Sequence, residues 1–320
     1  MAVLNYSLKV NVAGHHELLK EIKIFAQAQG WTVVEFLEDV QWASVGGGNY
    51  NFIAGTEKYL ELYSAGYGSQ NLRYRFRSAG SSLGDANNRQ ILGHGHTVAL
   101  TRPNTQSAHP QNQTSKWSIM FTYAGIRVQE TTIPEVWLFG NSKFIFVVVR
   151  HDSQITSSLY FGSIELEDFD TSIVGGYAYF PIDTNTLWTS YSMTYNSCFD
   201  MFPGSISSYL YYAGDTKAFE TDHYHSFRCA GSNIYLSKLG PALPQLVVKN
   251  AYSEIRPLTK QIEFVKDTDG FFIPIGTIPI YRINFNGFVI GQEITYDSDK
   301  YLVFPNGMYN NYFGLAVQIA

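Results

Sequence analysis

Residues 134–150, PEVWLFGNSKFIFVVVR, contain two runs rich in aromatic and β-branched side chains, which Gly140 and Asn141 separate. This pattern predicts a β-hairpin, because such side chains favour strands and the two interrupting residues favour a turn. The second run, residues 144–149, is apolar at every position, which predicts a strand with both faces buried. We therefore expect this hairpin to lie at the centre of the fold.

Strand-like segments also precede the hairpin. Residues 31–37 and 58–64 alternate apolar and polar side chains, and the segment 45–57 between them is rich in turn residues, so we expect the two runs to pair antiparallel. Residues 72–77, LRYRFR, alternate in the same way. Their three arginines share one face, which we expect to be solvated or to form an interface rather than to bind an anion.

One segment has helical periodicity. Residues 15–29 place apolar side chains at the spacing of one helix face, and Gly30 follows at the position of a C-terminal cap. Short strands separated by Asp-Gly, Asn-Gly and Pro signals run from residue 255 onward. The sequence thus predicts a mainly β (α+β) fold of antiparallel sheets or a sandwich, with one amphipathic helix near the N-terminus.

We expect two regions in this chain. Residues 1–175 carry the helix and antiparallel strands, and residues 176–320 are Tyr-rich and all-β; a single compact unit is the alternative. Within the first region, residues 78–116 form a long polar stretch that is either a docking arm or a flexible surface loop.

The composition is aromatic and poor in charge. The 320 residues include 23 Tyr and 22 Phe but only 15% charged side chains, whereas ordinary domains carry about 25%. Tyr brings a large apolar area, a polar tip and little rotamer entropy, and it is enriched where proteins meet. This balance indicates a component of an assembly, whose surface is covered by neighbouring subunits.

The net charge and the hydropathy of the chain argue against nucleic acid and membrane as partners. The net charge of −5 gives no electrostatic footprint for nucleic acid, and no apolar stretch is long enough for membrane insertion. The first residues lack the pattern of a signal peptide, which predicts synthesis in the cytoplasm. Two cysteines, Cys198 and Cys229, have no zinc or redox spacing and are expected to be reduced thiols.

No motif predicts an enzyme. The chain has no G-x-S-x-G, P-loop, dinucleotide or H-E-x-x-H pattern, so we predict no catalytic residue and no cofactor. His94 and His96, and likewise His223 and His225, are two residues apart and would share a strand face, but no third ligand has a fixed spacing. We therefore predict no metal site.

Four carboxylates lie close together in the sequence. Glu165, Glu167, Asp168 and Asp170 do not fit a calcium loop. A glycosidase pair would need two carboxyls held about 5 to 9.5 Å apart in a cleft, a geometry that sequence does not define. We interpret them as a solvated acidic turn. The alternative is a hydrolase that degrades a cell-surface polymer.

Residues 175–231 are dense in Tyr, Ser and Thr, a composition typical of binding surfaces. Tyr209, Tyr211 and Tyr212 are the candidate subunit contacts of this region. The alternative is an ordinary β surface with aromatic pairs across strands.

Several segments together resemble virion structural proteins of tailed bacteriophages, of the tail or baseplate type. They are the helix end Gly30-Trp31-Thr32, the strands of residues 31–40 and 59–66, and the long segments 134–165 and 255–287. The second-to-last segment includes the element Tyr160-Phe161-Gly162, which an aromatic stretch with Pro181 follows.

This resemblance implies a structural subunit that acts through symmetric assembly. Its partners would be copies of itself and other virion tail proteins, its location would be the virion, and no catalytic residue is implied. A receptor- or carbohydrate-binding tail module is the alternative function. In that function Trp188, Tyr191 and Tyr195 would stack on sugar rings.

Overall fold

The structure is a computed structural model that describes the chain in sixteen ranges: residues 4–46, 49–66, 72–79, 90–96, 118–119, 132–150, 156–163, 165–166, 177–182, 207–212, 228–230, 261–268, 271–284, 287–296, 298–305 and 313–319. The described elements follow one another as β1 (Asn5–Val12), α1 (Gly14–Ala28), β2 (Thr32–Gly46), β3 (Asn49–Ala54), β4 (Glu57–Ser64), β5 (Leu72–Ala79), β6 (Gln90–His96), β7 (Ser118–Ile119), β8 (Ile133–Gly140), β9 (Phe144–Arg150), β10 (Thr156–Ser163), β11 (Glu165–Leu166), β12 (Tyr177–Ile182), β13 (Ser207–Tyr212), β14 (Arg228–Ala230), β15 (Gln261–Thr268), β16 (Phe271–Asn284), β17 (Gln292–Tyr296), β18 (Asp299–Pro305) and β19 (Phe313–Gln318).

The strands form three antiparallel sheets. Sheet A has the order β1-β8-β9-β10-β12-β13, and sheet B has the order β3-β2-β4-β5-β6-β7. Sheet C has the order β14-β15-β16-β19-β18-β17, and β11 also pairs with β16. The prediction of a mainly β fold with one amphipathic helix near the N-terminus is confirmed for the described residues.

The hairpin of β8 and β9 forms as predicted. Its strands pair from Glu135 with Arg150 to Gly140 with Ile145. In the turn, the side-chain Oδ1 of Asn141 accepts hydrogen bonds from the backbone N–H groups of Lys143, at 2.8 Å, and Phe144, at 3.3 Å. Asn141 therefore closes the turn through its side chain, as Asx turns do.

The apolar run of β9 is explained by its two faces. Phe144, Phe146 and Val148 belong to a core shared with sheet C, whereas Ile145 and its same-face neighbours belong to a second core shared with α1 and sheet B. Residues 144–149 are all at most 1% exposed. Sheet A is therefore the middle of three layers, and β9 is buried on both faces as predicted.

The core between sheets A and C is built around aromatic contacts. Trp137 and Phe139 of β8 meet Phe304 of β18 edge-on, with ring centroids 5.1 and 5.8 Å apart. Gly291 packs closely on Trp137, since a Cβ atom at Gly291 would lie 2.5 Å from the indole ring. These contacts hold the last strands of the chain against β8.

The core between sheets A and B includes the helix. The buried face of α1 contacts both sheets, as its 3.6-residue period requires, and it consists of His15, Leu18, Leu19, Ile22, Phe25 and Ala26. Gly30 adopts φ +88° just after the helix, a conformation that L side chains rarely adopt. Trp31 then donates a hydrogen bond from Nε1 to the backbone oxygen of Asn141, at 2.8 Å, which ties the end of α1 to the β8–β9 turn.

The segment between β2 and β4 forms a strand that the sequence analysis does not predict. Strands β2 and β4 pair antiparallel as predicted, but the segment 45–57 is not only a turn: it contains β3, which extends sheet B by a hairpin with β2. Aromatic side chains and the β-branched Ile53 favour a strand there despite the glycines.

Sheet A takes strands from both sides of residue 175, and the division into two regions stays a prediction.

Candidate functional site

Strand β1 lies at one end of sheet A. It pairs with β8 along its length, from Asn5 opposite Gly140 to Val12 opposite Ile133. Among the described strands none pairs with its other side. An edge strand of this kind presents backbone N–H and C=O groups that can pair with another chain.

One face of β1 is apolar and exposed. Tyr6, Leu8 and Val10, which alternate along the strand, are 46%, 44% and 59% exposed. We call these three side chains the β1 stripe. Soluble monomers usually protect a long edge strand with charges, prolines or bulges, so an uncovered apolar stripe on such an edge is a candidate contact surface.

The β1 stripe continues the core between sheets A and C. Leu8 lies opposite Trp137, and Tyr6 lies opposite Phe139 with their rings stacked at a centroid distance of 5.9 Å. Directly opposite residues of antiparallel strands share a sheet face. Sheet C therefore covers this face of sheet A at β8 but leaves it uncovered at β1, the neighbouring strand at the edge.

The other face of β1 is polar and is held by the helix. Lys9 forms an ion pair with Glu21 of α1, with 2.9 Å between Nζ and Oε2. Asn5 donates a hydrogen bond from Nδ2 to Oε1 of Gln29, at 2.8 Å. These contacts fix which face of β1 turns toward α1, and hence which face carries the stripe.

Sheet B carries a second unusual surface, an ion-pair face on β4 and β5. Glu61 accepts a hydrogen bond from Nε of Arg75 at 2.8 Å and one from Nη1 of Arg73 at 3.3 Å. The Glu61 and Arg75 side chains are only 5% and 4% exposed. Of the two expectations for the arginine face, the solvated one is wrong for Arg75, because carboxylates on the neighbouring strand pair with the guanidinium groups in a largely buried setting. The expectation of an interface stays a prediction.

Burial sets the protonation of this face. It raises the pKa of the Tyr59 hydroxyl, which donates to Oε2 of Glu61 at 3.2 Å. Burial also lowers the pKa of Arg77, and Glu57, 3.9 Å away, opposes that shift by favouring the charged guanidinium. The ion pairs of Glu57 and Glu61 with the arginines thus tie β4 to β5 within the sheet.

The histidine pair of β6 lies beside this face. In the register of β5 and β6, His94 is opposite Arg75 and His96 is opposite Arg73, so their Cα atoms share the pleat of the ion-pair face. Within the described ranges no group of three or more His, Cys, Asp or Glu residues comes together as a metal site. His223 and His225 lie outside the described residues.

The candidate tyrosines of the sequence lie on β13, beyond β12 in sheet A. The backbone register places Tyr212 opposite Tyr177 and Tyr209 opposite Phe180, and Tyr211 lies between them. This register fits the alternative of aromatic pairs across strands, while the role of Tyr209, Tyr211 and Tyr212 in subunit contact stays a prediction. Trp188, Tyr191 and Tyr195 lie outside the described residues.

Of the four clustered carboxylates, the structure describes only the backbone of Glu165. It lies in β11 and pairs with Thr277 of β16. Glu167, Asp168 and Asp170 lie outside the described residues, as does most of the 78–116 stretch apart from β6. The described ranges therefore do not bring this cluster together.

The sequence reading missed the β1 stripe. The signal was present in NYSLKVNV, where apolar side chains alternate with Ser7 and Lys9 and so predict a strand with one apolar face. Alternation does not tell whether that face is covered, because the covering layer, sheet C, comes from the far end of the chain.

No helix in the described part of the chain is long and apolar enough to cross a membrane. A scan against protein-family models finds no match for this sequence, and a search of curated proteins likewise finds no significant relative.

Proposed function

We propose that the protein is a structural subunit of a bacteriophage virion, placed in the tail or baseplate and acting through symmetric protein–protein assembly. The observation that carries this proposal is the β1 stripe on an edge of sheet A that no described strand covers. Such a surface is costly to leave in water and is stabilised when a neighbouring subunit covers it.

Two further observations support an assembly role. The charged fraction of 15% leaves little polar surface for a monomer in solution. The buried charges that the structure describes on β4 and β5 are engaged in ion pairs within the sheet, so they hold the scaffold rigid. The resemblance of the segments around residues 134–165 and 255–287 to phage tail and baseplate proteins gives the class of particle.

Electron microscopy of the purified full-length chain tests the proposal. We expect closed oligomers of fixed symmetry, because a structural subunit repeats one contact around an axis. Mass spectrometry of particles purified from lysed host cells should in addition find the chain in the tail fraction. Monomers by microscopy together with absence from purified particles would refute the proposal.

A further inference from the structure

We infer that β1 pairs antiparallel with β1 of a second copy of this chain, in a register that places Leu8 opposite Leu8. This inference rests on the proposed function in that it names the contact through which the subunit assembles. Pairing with a second copy would complete the open edge with backbone hydrogen bonds and cover the β1 stripe with its own counterpart.

Symmetry limits the possible registers. Two copies of one strand that pair antiparallel are related by a two-fold axis perpendicular to the sheet, so each face of one sheet continues the same face of the other. One residue of β1 must then lie opposite its own copy. The middle of the strand offers Ser7, Leu8 and Lys9 as this central residue.

Charge excludes the register centred on Lys9. It would place two lysines directly opposite each other, and like charges in that position are destabilising. With Leu8 at the centre, each Lys9 lies opposite a serine, Ser7 of the other copy, and keeps its ion pair with Glu21.

The apolar face distinguishes the two remaining registers. With Leu8 at the centre, Tyr6 lies opposite Val10 of the other copy, so all three stripe residues pair with one another. With Ser7 at the centre, Val10 would face Leu4, which is 3% exposed and already belongs to the core between sheets A and C. The register centred on Leu8 is the one that covers the whole stripe.

The contact is small. A standard protein interface buries about 800 Å² on each partner, more than three half-exposed side chains provide. We therefore expect a concentration-dependent pairing that other subunit contacts reinforce in a particle. Its measurement needs sedimentation over a range of protein concentrations rather than at one dilute point.

Sedimentation of Leu8→Lys tests the surface. This change sets two lysines opposite each other across the proposed axis, while each monomer tolerates it because lysine is common on exposed edges. We expect self-association to weaken by about tenfold or more, because like charges set directly opposite each other destabilise a strand pair. Ile53→Lys is the matched control: Ile53 is 45% exposed, nearly the same as Leu8, lies on β3 of sheet B, and its substitution should leave association unchanged.

Disulfide trapping tests the register. Cβ atoms of directly opposite residues lie about 4.5–5.5 Å apart, close to disulfide distance, so Leu8→Cys should cross-link two chains under mild oxidation. In this register two copies of Val10 are offset by about 13 Å along the strand direction alone, because Val10 lies four residues from Tyr6, the position opposite the other copy of Val10. Val10→Cys alone should therefore not cross-link above the wild-type background, whereas a mixture of Tyr6→Cys and Val10→Cys chains should.

The outcomes separate the inference from the proposed function. If the wild type and Leu8→Lys associate equally and Leu8→Cys does not cross-link, the β1 pairing is wrong while the assembly role stands. If Val10→Cys chains cross-link to the same extent as Leu8→Cys chains, the proposed register is wrong. A wild type that stays monomeric at every concentration overturns the pairing, and the microscopy and particle analysis then decide the assembly role independently.

Discussion

Gly162 allows a close approach between β10 and β9, and substituting it tests how tightly the middle layer is built. It adopts φ +133° opposite Phe144, and a Cβ atom there would lie 2.4 Å from the Cα atom of Phe144 and 2.5 Å from the backbone oxygen of Lys143. Both neighbouring atoms are backbone, so neither can move aside by a rotamer change. The N–H of Gly162 also donates to the Tyr74 hydroxyl, at 3.0 Å.

We expect Gly162→Ala to lower the free energy of unfolding by about 2–6 kcal/mol. Strain at the positive φ contributes about 1–3 kcal/mol, and forcing β9 away from β10 contributes about 1–3 kcal/mol more. Urea denaturation followed by tryptophan fluorescence measures the change, because Trp31 and Trp137 are both buried.

Gly287→Ala is the matched control for this substitution. Gly287 also adopts a positive φ, +87°, but an added Cβ atom would meet nothing within 4 Å. Its substitution should therefore cost only the backbone term of about 1–2 kcal/mol. Equal losses for the two alanine variants would refute the reasoning that the contact with β9 sets the cost.

Three further predictions concern the ion-pair face, the buried tyrosines and the aromatic core. Glu61→Gln should destabilise the chain by about 3–5 kcal/mol, because it leaves Arg75 buried without its carboxylate. Glu293→Gln, in a solvent-exposed pair with Lys300, should change stability far less in the same denaturation assay. Burial raises the pKa of Tyr74, so above a pH of about 10 the unfolded chain loses this proton first and stability falls with pH. Tyr74→Phe should make that fall shallower between about pH 10 and 11, and an unchanged slope would contradict the assignment. Phe146→Ala should cost about 3–5 kcal/mol by opening a cavity beside sheet C, while Val289→Ala, at an exposed site, should change stability by less than about 0.5 kcal/mol.

The local pattern of the sequence predicts several elements of the fold well. The unbroken apolar run of residues 144–149 indicates a strand with two buried faces, and the spacing of Leu18, Leu19 and Ile22 indicates one helix face. Both signals arise from a period that each element repeats within itself. They therefore need no knowledge of the partners that cover those faces.

The surfaces that bear on function depend on distant pairings, which the sequence does not reveal. Arg75 of β5 is buried because the register with β4 sets Glu61 directly opposite it, where Glu61 also accepts from Arg73, and that register is a property of two strands together. Likewise, Leu8 is exposed and Trp137, its neighbour across the strands, is buried because sheet C ends between them. The alternation of apolar and polar residues along a strand is the same whether a face is covered or exposed, so it does not distinguish these situations.

The position of β9 between two layers also determines when each of its faces can pack while the chain is being synthesised. Every element of sheet B, together with α1, precedes β9 in the chain, so one face of the nascent hairpin can pack as soon as it emerges. The other face, with Phe144, Phe146 and Val148, must wait until β16, β18 and β19 have been synthesised. Nascent chains with such exposed aromatic surface are prone to aggregate. We therefore expect chaperone binding to the nascent chain to peak after residue 150 and to end once β19 is released.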